Sequence, residues 1–162
     1  MEVDNLFQVG DKVFYPMHGA GIVTAIEEKE FRGELEKYCS ISIPSSQMNV
    51  MLPIKKASKS GLRSVIDQRA AKMMLENYYH AEHEPQLPWK QRFSSNMEKI
   101  KTGAFEAGLE VVSDLEYRSK EKPLNTSEKQ MLNNAKRLIA SELSLIKNIT
   151  ESQAEGLLKL PS

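Results

Sequence analysis

The sequence predicts an α+β protein, with a small N-terminal β-barrel followed by a compact C-terminal bundle of about five α-helices. Three observations carry that prediction. Up to about residue 54, short apolar runs alternate with polar residues, and beyond about residue 62 apolar residues recur every three or four positions. Turn-forming clusters punctuate the first fifty residues at short intervals. A hinge of small and basic residues, Lys55 to Gly61, separates the two regimes. The division falls between residues 1–56 and 57–162.

The β-rich part opens at Val9-Gly10-Asp11, a turn that runs into Lys12-Val13-Phe14-Tyr15. Pro16 to Gly21 is a second turn cluster. From Gly21 to Glu27 the residues alternate, placing Ile22, Thr24 and Ile26 on one face and Val23 and Ala25 on the other. Arg32-Gly33-Glu34 supplies a hairpin turn. Cys39, Ile41 and Ile43 then share a face, and Pro44-Ser45-Ser46 turns the chain into Met48 to Pro53. Four short strands must close on themselves or bury a face against something else, and an SH3- or Tudor-like barrel is the economical solution.

Leu62, Ile66, Ala70, Met73 and Met74 lie at helical spacing and predict a first helix ending near Asn77. Residues 79–88 read as a polar linker containing two prolines. Pro88 suits the first turn of a second helix, which carries Trp89, Phe93, Met97 and Ile100 and stops at Gly103. Phe105, Leu109, Val112 and Leu115 form a third, broken by Lys122-Pro123. Asn125 with Glu128 reads as a capping box opening a fourth helix, along which Met131, Leu132, Ala135, Leu138, Ile139 and Ile146 face one way. Thr150 with Gln153 opens a short last helix to about Lys159.

Composition narrows the function. With 40% hydrophobic and 27% charged residues, the chain can bury a core, which excludes disorder along its length. No apolar run approaches the roughly 20 residues of a membrane helix, and Met1-Glu2-Val3-Asp4 is acidic where a secretory leader is basic. A single cysteine, Cys39, points to a reducing, cytoplasmic setting and reads as a buried inert thiol. The net charge of zero hides an asymmetry: four basic and eight acidic side chains in residues 1–54, against 18 and 14 in the remainder.

No phosphate-binding glycine loop, Walker lysine or nucleophile elbow is present, so catalysis is not expected and no cofactor or metal is implied. His80-x-x-His83 with Glu82 and Glu84 has short metal-ligand spacing but sits in a Pro-bounded linker without a rigid scaffold, and reads as solvated histidines. The basic residues Lys55, Lys56, Lys59 and Arg63 fit a solvated hinge, while Lys129, Lys136 and Arg137 could track phosphates from the fourth helix. Trp89, flanked by Lys90 and Arg92, has two readings. It caps the bundle core one turn above Phe93, or it is an apolar wedge at a helix tip among cations, the device that minor-groove binders insert at a base step.

The residues Val9-Gly10-Asp11-x-Val13-x-Tyr15-Pro16-x-His18-Gly19-x-Gly21 resemble the opening signature of the CarD/CdnL family of bacterial transcription regulators. The likeness extends through Trp89-x-x-Arg92-Phe93, Asn96-x-Glu98-Lys99-Ile100 and Gly103 to Leu124-x-x-x-Glu128-Lys129-x-Met131-Leu132, roughly residues 6–147. The resemblance implies an N-terminal Tudor-like RNA polymerase interaction domain, shared with the transcription-repair coupling factor, that binds the polymerase β subunit. It also implies a helical domain that contacts promoter DNA at the upstream edge of the melted region and stabilises the open complex. Under that resemblance Trp89 is the minor-groove wedge, Arg92 and Lys129 match basic positions beside the DNA, and Lys90 is their neighbour. Two polymerase-contacting arginines of the family align with Lys29 and Met51, and a basic position after the tryptophan is Gln91. A monomer in the free state, nucleoid-associated through polymerase, is the corresponding expectation. Two alternatives stay open: an adaptor that binds polymerase without touching DNA, and a methyl-lysine reader using Phe7, Phe14, Tyr15, Phe31 and Tyr38 as a cage.

Overall fold

A computed structural model describes residues 7–57, 59–83 and 87–160. Five antiparallel strands come first: β1 (Lys12–Tyr15), β2 (Gly19–Phe31), β3 (Glu34–Ile43), β4 (Met48–Pro53) and β5 (Arg63–Ser64), in the spatial order β4-β3-β2-β1-β5. A short helix, α1 (Ile54–Ala57), lies between β4 and β5, and five helices follow: α2 (Gln68–Tyr79), α3 (Trp89–Thr102), α4 (Phe105–Glu121), α5 (Thr126–Lys147) and α6 (Glu151–Gly156). The arrangement is α+β, as expected, and five helices follow the β-rich part. The expected barrel closure is not observed: β4 and β5 are the two edges and do not pair with each other. The reason is visible in the packing. The inner face of Val13, Val23, Cys39, Ile41 and Ile43 is fully buried, with Ile54, Ala57 and Leu62 packed into the same cluster. Elements at the end of β4 therefore cover the sheet, and it need not curl onto itself.

Three local features depart from the sequence pattern. A β-bulge between Val23 and Ala25 breaks the alternation. It puts Ile26 opposite Cys39 on the inner face while Ile22 pairs with Ser42 on the outer one, so Ile22 and Ile26 do not share a face. The hairpin turn is two residues, Arg32 (φ 53°) and Gly33 (φ 79°), both left-handed as a type I′ turn requires, and it joins strands longer than the sequence suggested. Finally, Leu62 and Ile66 are not helical. Asp67 caps α2 by accepting from Ala70 N at 2.7 Å, and the residues before it continue the sheet, with Val65 N donating to Lys12 O at 3.1 Å.

The helices share one core that includes Ile100, Leu109, Val112, Leu115, Leu138 and Leu143. Phe14 and Ala20, from β1 and β2, belong to that same cluster. α5 thus lies against the outer face of the sheet at one end. Arg63 fastens the seam: its Nη1 and Nη2 donate to the two oxygens of Glu142 at 2.7 and 2.6 Å, and its Nε to Gly103 O at 2.9 Å. Its guanidinium also lies 4.6 Å from the centre of the Phe14 ring.

Candidate nucleic-acid interface

α3 begins without a side-chain cap. Pro88 is its N-cap residue and accepts nothing from the first turn, so the leading N–H groups point outward with the positive end of the helix dipole. Trp89 is the first residue of α3, with 46% of its surface exposed. Its ring meets Phe93 edge-on, with centroids 6.2 Å apart and planes at 72°, and Phe93 packs in turn against the helical core. The indole is supported from behind and open in front. Lys90 and Gln91 are exposed beside it.

Arg92 turns inward. Its Nε and Nη2 donate to Glu128 Oε2 and Oε1, both at 2.8 Å, and the two side chains are 13% and 2% exposed. These hydrogen bonds outweigh the effect of burial and hold the guanidinium pKa above its ordinary value. Glu128 lies in the first turn of α5, where Asn125 Oδ1 accepts its N–H at 2.8 Å. The cap expected at Asn125 is present, but the carboxylate that would complete a capping box is given to Arg92. This bidentate pair pins the first turn of α3 to the first turn of α5. Lys129 follows Glu128 and is exposed. Lys136 and Arg137 do not extend a phosphate-tracking row with it. Lys136 pairs with Glu116, and Arg137 donates to Asn134 Oδ1 at 2.7 Å and His18 O at 3.3 Å.

Lys29 and Met51 lie on the sheet, away from this end. Lys29 pairs with Glu36 on β3, and Met51 pairs with Ser40. Paired residues share a face, so Lys29, Glu36, Ser40 and Met51 stand together on the outer face, separated by the row Glu27, Tyr38 and Pro53. Lys29 and Met51 are both exposed.

The remaining candidates resolve simply. His80 is exposed, 3.8 Å from Glu76. His83 stacks on Tyr117 with centroids 4.2 Å apart, its Nε2 3.4 Å from Ser113 Oγ. Glu84 lies outside the described residues, among which no three metal-ligating groups gather. Burial, and secondarily Asp11, pushes the Cys39 thiol pKa up. Phe7 and Phe14 are buried in different clusters, the sheet's inner core and the helical core, so they cannot join one aromatic cage. Sequence reasoning missed Arg63, Glu128 and Glu142 as partners. Buried charges at long sequence separation leave no periodic signal.

Comparison with known proteins covers nearly the whole chain. Residues 7–66 match the family described as the CarD-like/TRCF RID domain, and residues 73–159 match the one described as CarD, C-terminal domain. The chain is 51% identical over 151 residues, 93% of its length and 99% of the other's, to the protein of Bacillus subtilis (strain 168) named "Putative transcription factor YdeB".

Proposed function

Because this chain belongs to the CarD family of transcription factors, which interact with RNA polymerase, we propose that it bridges the polymerase β subunit and promoter DNA and stabilises the open complex. Residues 1–56 hold the polymerase through the outer sheet face carrying Lys29 and Met51. Residues 57–162 hold DNA at the upstream edge of the melted region. Trp89 is the wedge, and Lys90 and Lys129 attract the flanking phosphates. Arg92, expected from the sequence beside the DNA, serves here as a positioning residue that fixes the Trp89 helix through Glu128. The mechanism is binding alone, in the cytoplasm, by a chain that is a monomer when free.

The observation that carries this reading is Trp89 itself: a large apolar side chain, 46% exposed, at a rigidly backed helix tip. Such a group is stabilised by inserting where bases part. A preference of about 1.4 kcal/mol for melted-edge DNA over closed duplex shifts the equilibrium about tenfold. The test is open-complex lifetime on a promoter with purified bacterial polymerase. Wild type lengthens it and Trp89→Ala does not, while both bind polymerase equally. The adaptor reading draws support from one feature: Arg92 is committed to Glu128, so positive charge at this end is thin. Equal lifetimes with wild type and Trp89→Ala, polymerase binding intact, would favour it.

A further inference from the structure

We infer that the cavity between α2, α3 and α4 binds a small zwitterion, an α-amino acid with an apolar side chain. The cavity measures about 580 Å³, within the ~300–1,000 Å³ range of small-molecule sites. Arg118 lines it with a side chain only 9% exposed. Its Nε donates to Asp114 Oδ1 at 3.0 Å, and Asn96 Nδ2 donates to Asp114 Oδ2 at 3.0 Å. Arg118 Nη1 is buried and has no hydrogen-bond partner. An unmet guanidinium N–H in a closed setting is costly, and a ligand carboxylate oxygen answers it with a charge-assisted bond.

The other charges select the rest of the ligand. Arg92, Lys99 and Arg118 are matched by Glu128, Glu110 and Asp114. Glu82 and Glu106 also line the cavity, and neither has an ion-pair partner among the described residues. A phosphate dianion would meet surplus negative charge. A carboxylate coupled to an ammonium satisfies both ends. Met74, Leu87 and Leu109 supply an apolar wall for a side chain. The inference stands independently of the transcription reading, since it concerns the chain alone.

The test is calorimetric titration of the full chain with L-leucine and L-phenylalanine, followed in parallel by Trp89 fluorescence, because Leu87 and Arg92 line the cavity beside that single tryptophan. Two probes lacking one charge, 4-methylpentanoate and 3-methylbutylamine, bind about tenfold more weakly or worse than leucine. Arg118→Lys, which keeps the charge but loses the free N–H, weakens leucine by about the same factor. Ala81→Tyr, at an exposed position on the rim, fills the mouth and abolishes binding. It also decides the matter if Arg118→Lys fails to fold. No binding of either amino acid at millimolar concentration overturns the inference. So does an amine that binds as well as leucine, or an Ala81→Tyr variant that binds like wild type.

Discussion

Glu128→Gln separates two roles for Arg92 by the sign of its effect. The substitution keeps shape and leaves the cap intact, because Asn125 accepts from the backbone N–H of residue 128. It removes the charge that faces Arg92 in a pair whose side chains are 13% and 2% exposed. Deleting one partner of such a pair leaves a desolvated charge and costs about 3–5 kcal/mol. Glutamine still accepts one hydrogen bond, so a loss near about 3 kcal/mol is expected. Urea unfolding of wild type, Arg92→Leu, Glu128→Leu and the double variant measures the coupling, expected at about 2 kcal/mol or more. On open complexes the two roles predict opposite outcomes. If Arg92 bound phosphate directly, losing the glutamate would free it and also remove nearby negative charge, lengthening the open-complex lifetime. If Arg92 positions α3, the lifetime shortens. A coupling below about 0.5 kcal/mol, or a lengthened lifetime, refutes the positioning role.

Glu142→Ala strands Arg63 at the seam, where the glutamate side chain is 1% exposed, and lowers stability by about 3–5 kcal/mol in denaturant titration. Met51→Glu, on the exposed outer sheet face, weakens polymerase β-subunit binding while leaving the melting temperature within about 2 °C of wild type. The Cys39 thiol, raised by burial and then by Asp11, resists iodoacetamide in the native chain and reacts on unfolding. The same raised pKa gives stability that is full below the unfolded thiol's value of ~8.5 and declines as pH rises above it, because the unfolded chain releases a proton that the native chain keeps. Cys39→Ala flattens that decline in denaturant titrations across the alkaline range.

Periodicity and punctuation made most of the fold legible. The Cys39-Ile41-Ile43 face, the Gly103 stop and the Thr150 cap all follow from local chemistry, and each is found where the residues put it. What escaped was non-local. The Val23 bulge is set by pairing with β3, and the β5 strand by pairing with β1, so neither has a signature within its own segment. The site was half legible. Trp89 announces itself as a lone aromatic at a helix start, and its exposure follows from the missing cap. The fate of Arg92 could not be read, because Glu128 lies 36 residues away and its spacing from Asn125 already had a sufficient local explanation as a capping box.

The N-terminal signature is best understood through the seam. Tyr15 stacks on His18 with centroids 4.7 Å apart, and the His18 carbonyl accepts from Arg137 of α5. A Cβ on Gly103 would fall 2.6 Å from Pro16 Cγ, and one on Gly19 would fall 3.2 Å from Ser141 Oγ. Ala20 N donates to Ser141 Oγ at 3.0 Å, and Lys12 Nζ to Leu145 O at 2.9 Å. The motif that reads as a property of the β-rich part is therefore also the surface on which α5 docks, and it demands small residues because two backbones approach there. Two domains joined by a loose hinge would deliver Trp89 to DNA only through a raised effective concentration. A seam with a shared core and a buried ion pair instead fixes the Trp89 tip relative to the Lys29–Met51 face. Affinity for polymerase then specifies the place on the promoter where the indole sits, and weak, sequence-tolerant contacts suffice there. On this geometry the length and angle of the seam, rather than base readout, determine which part of the promoter is held open.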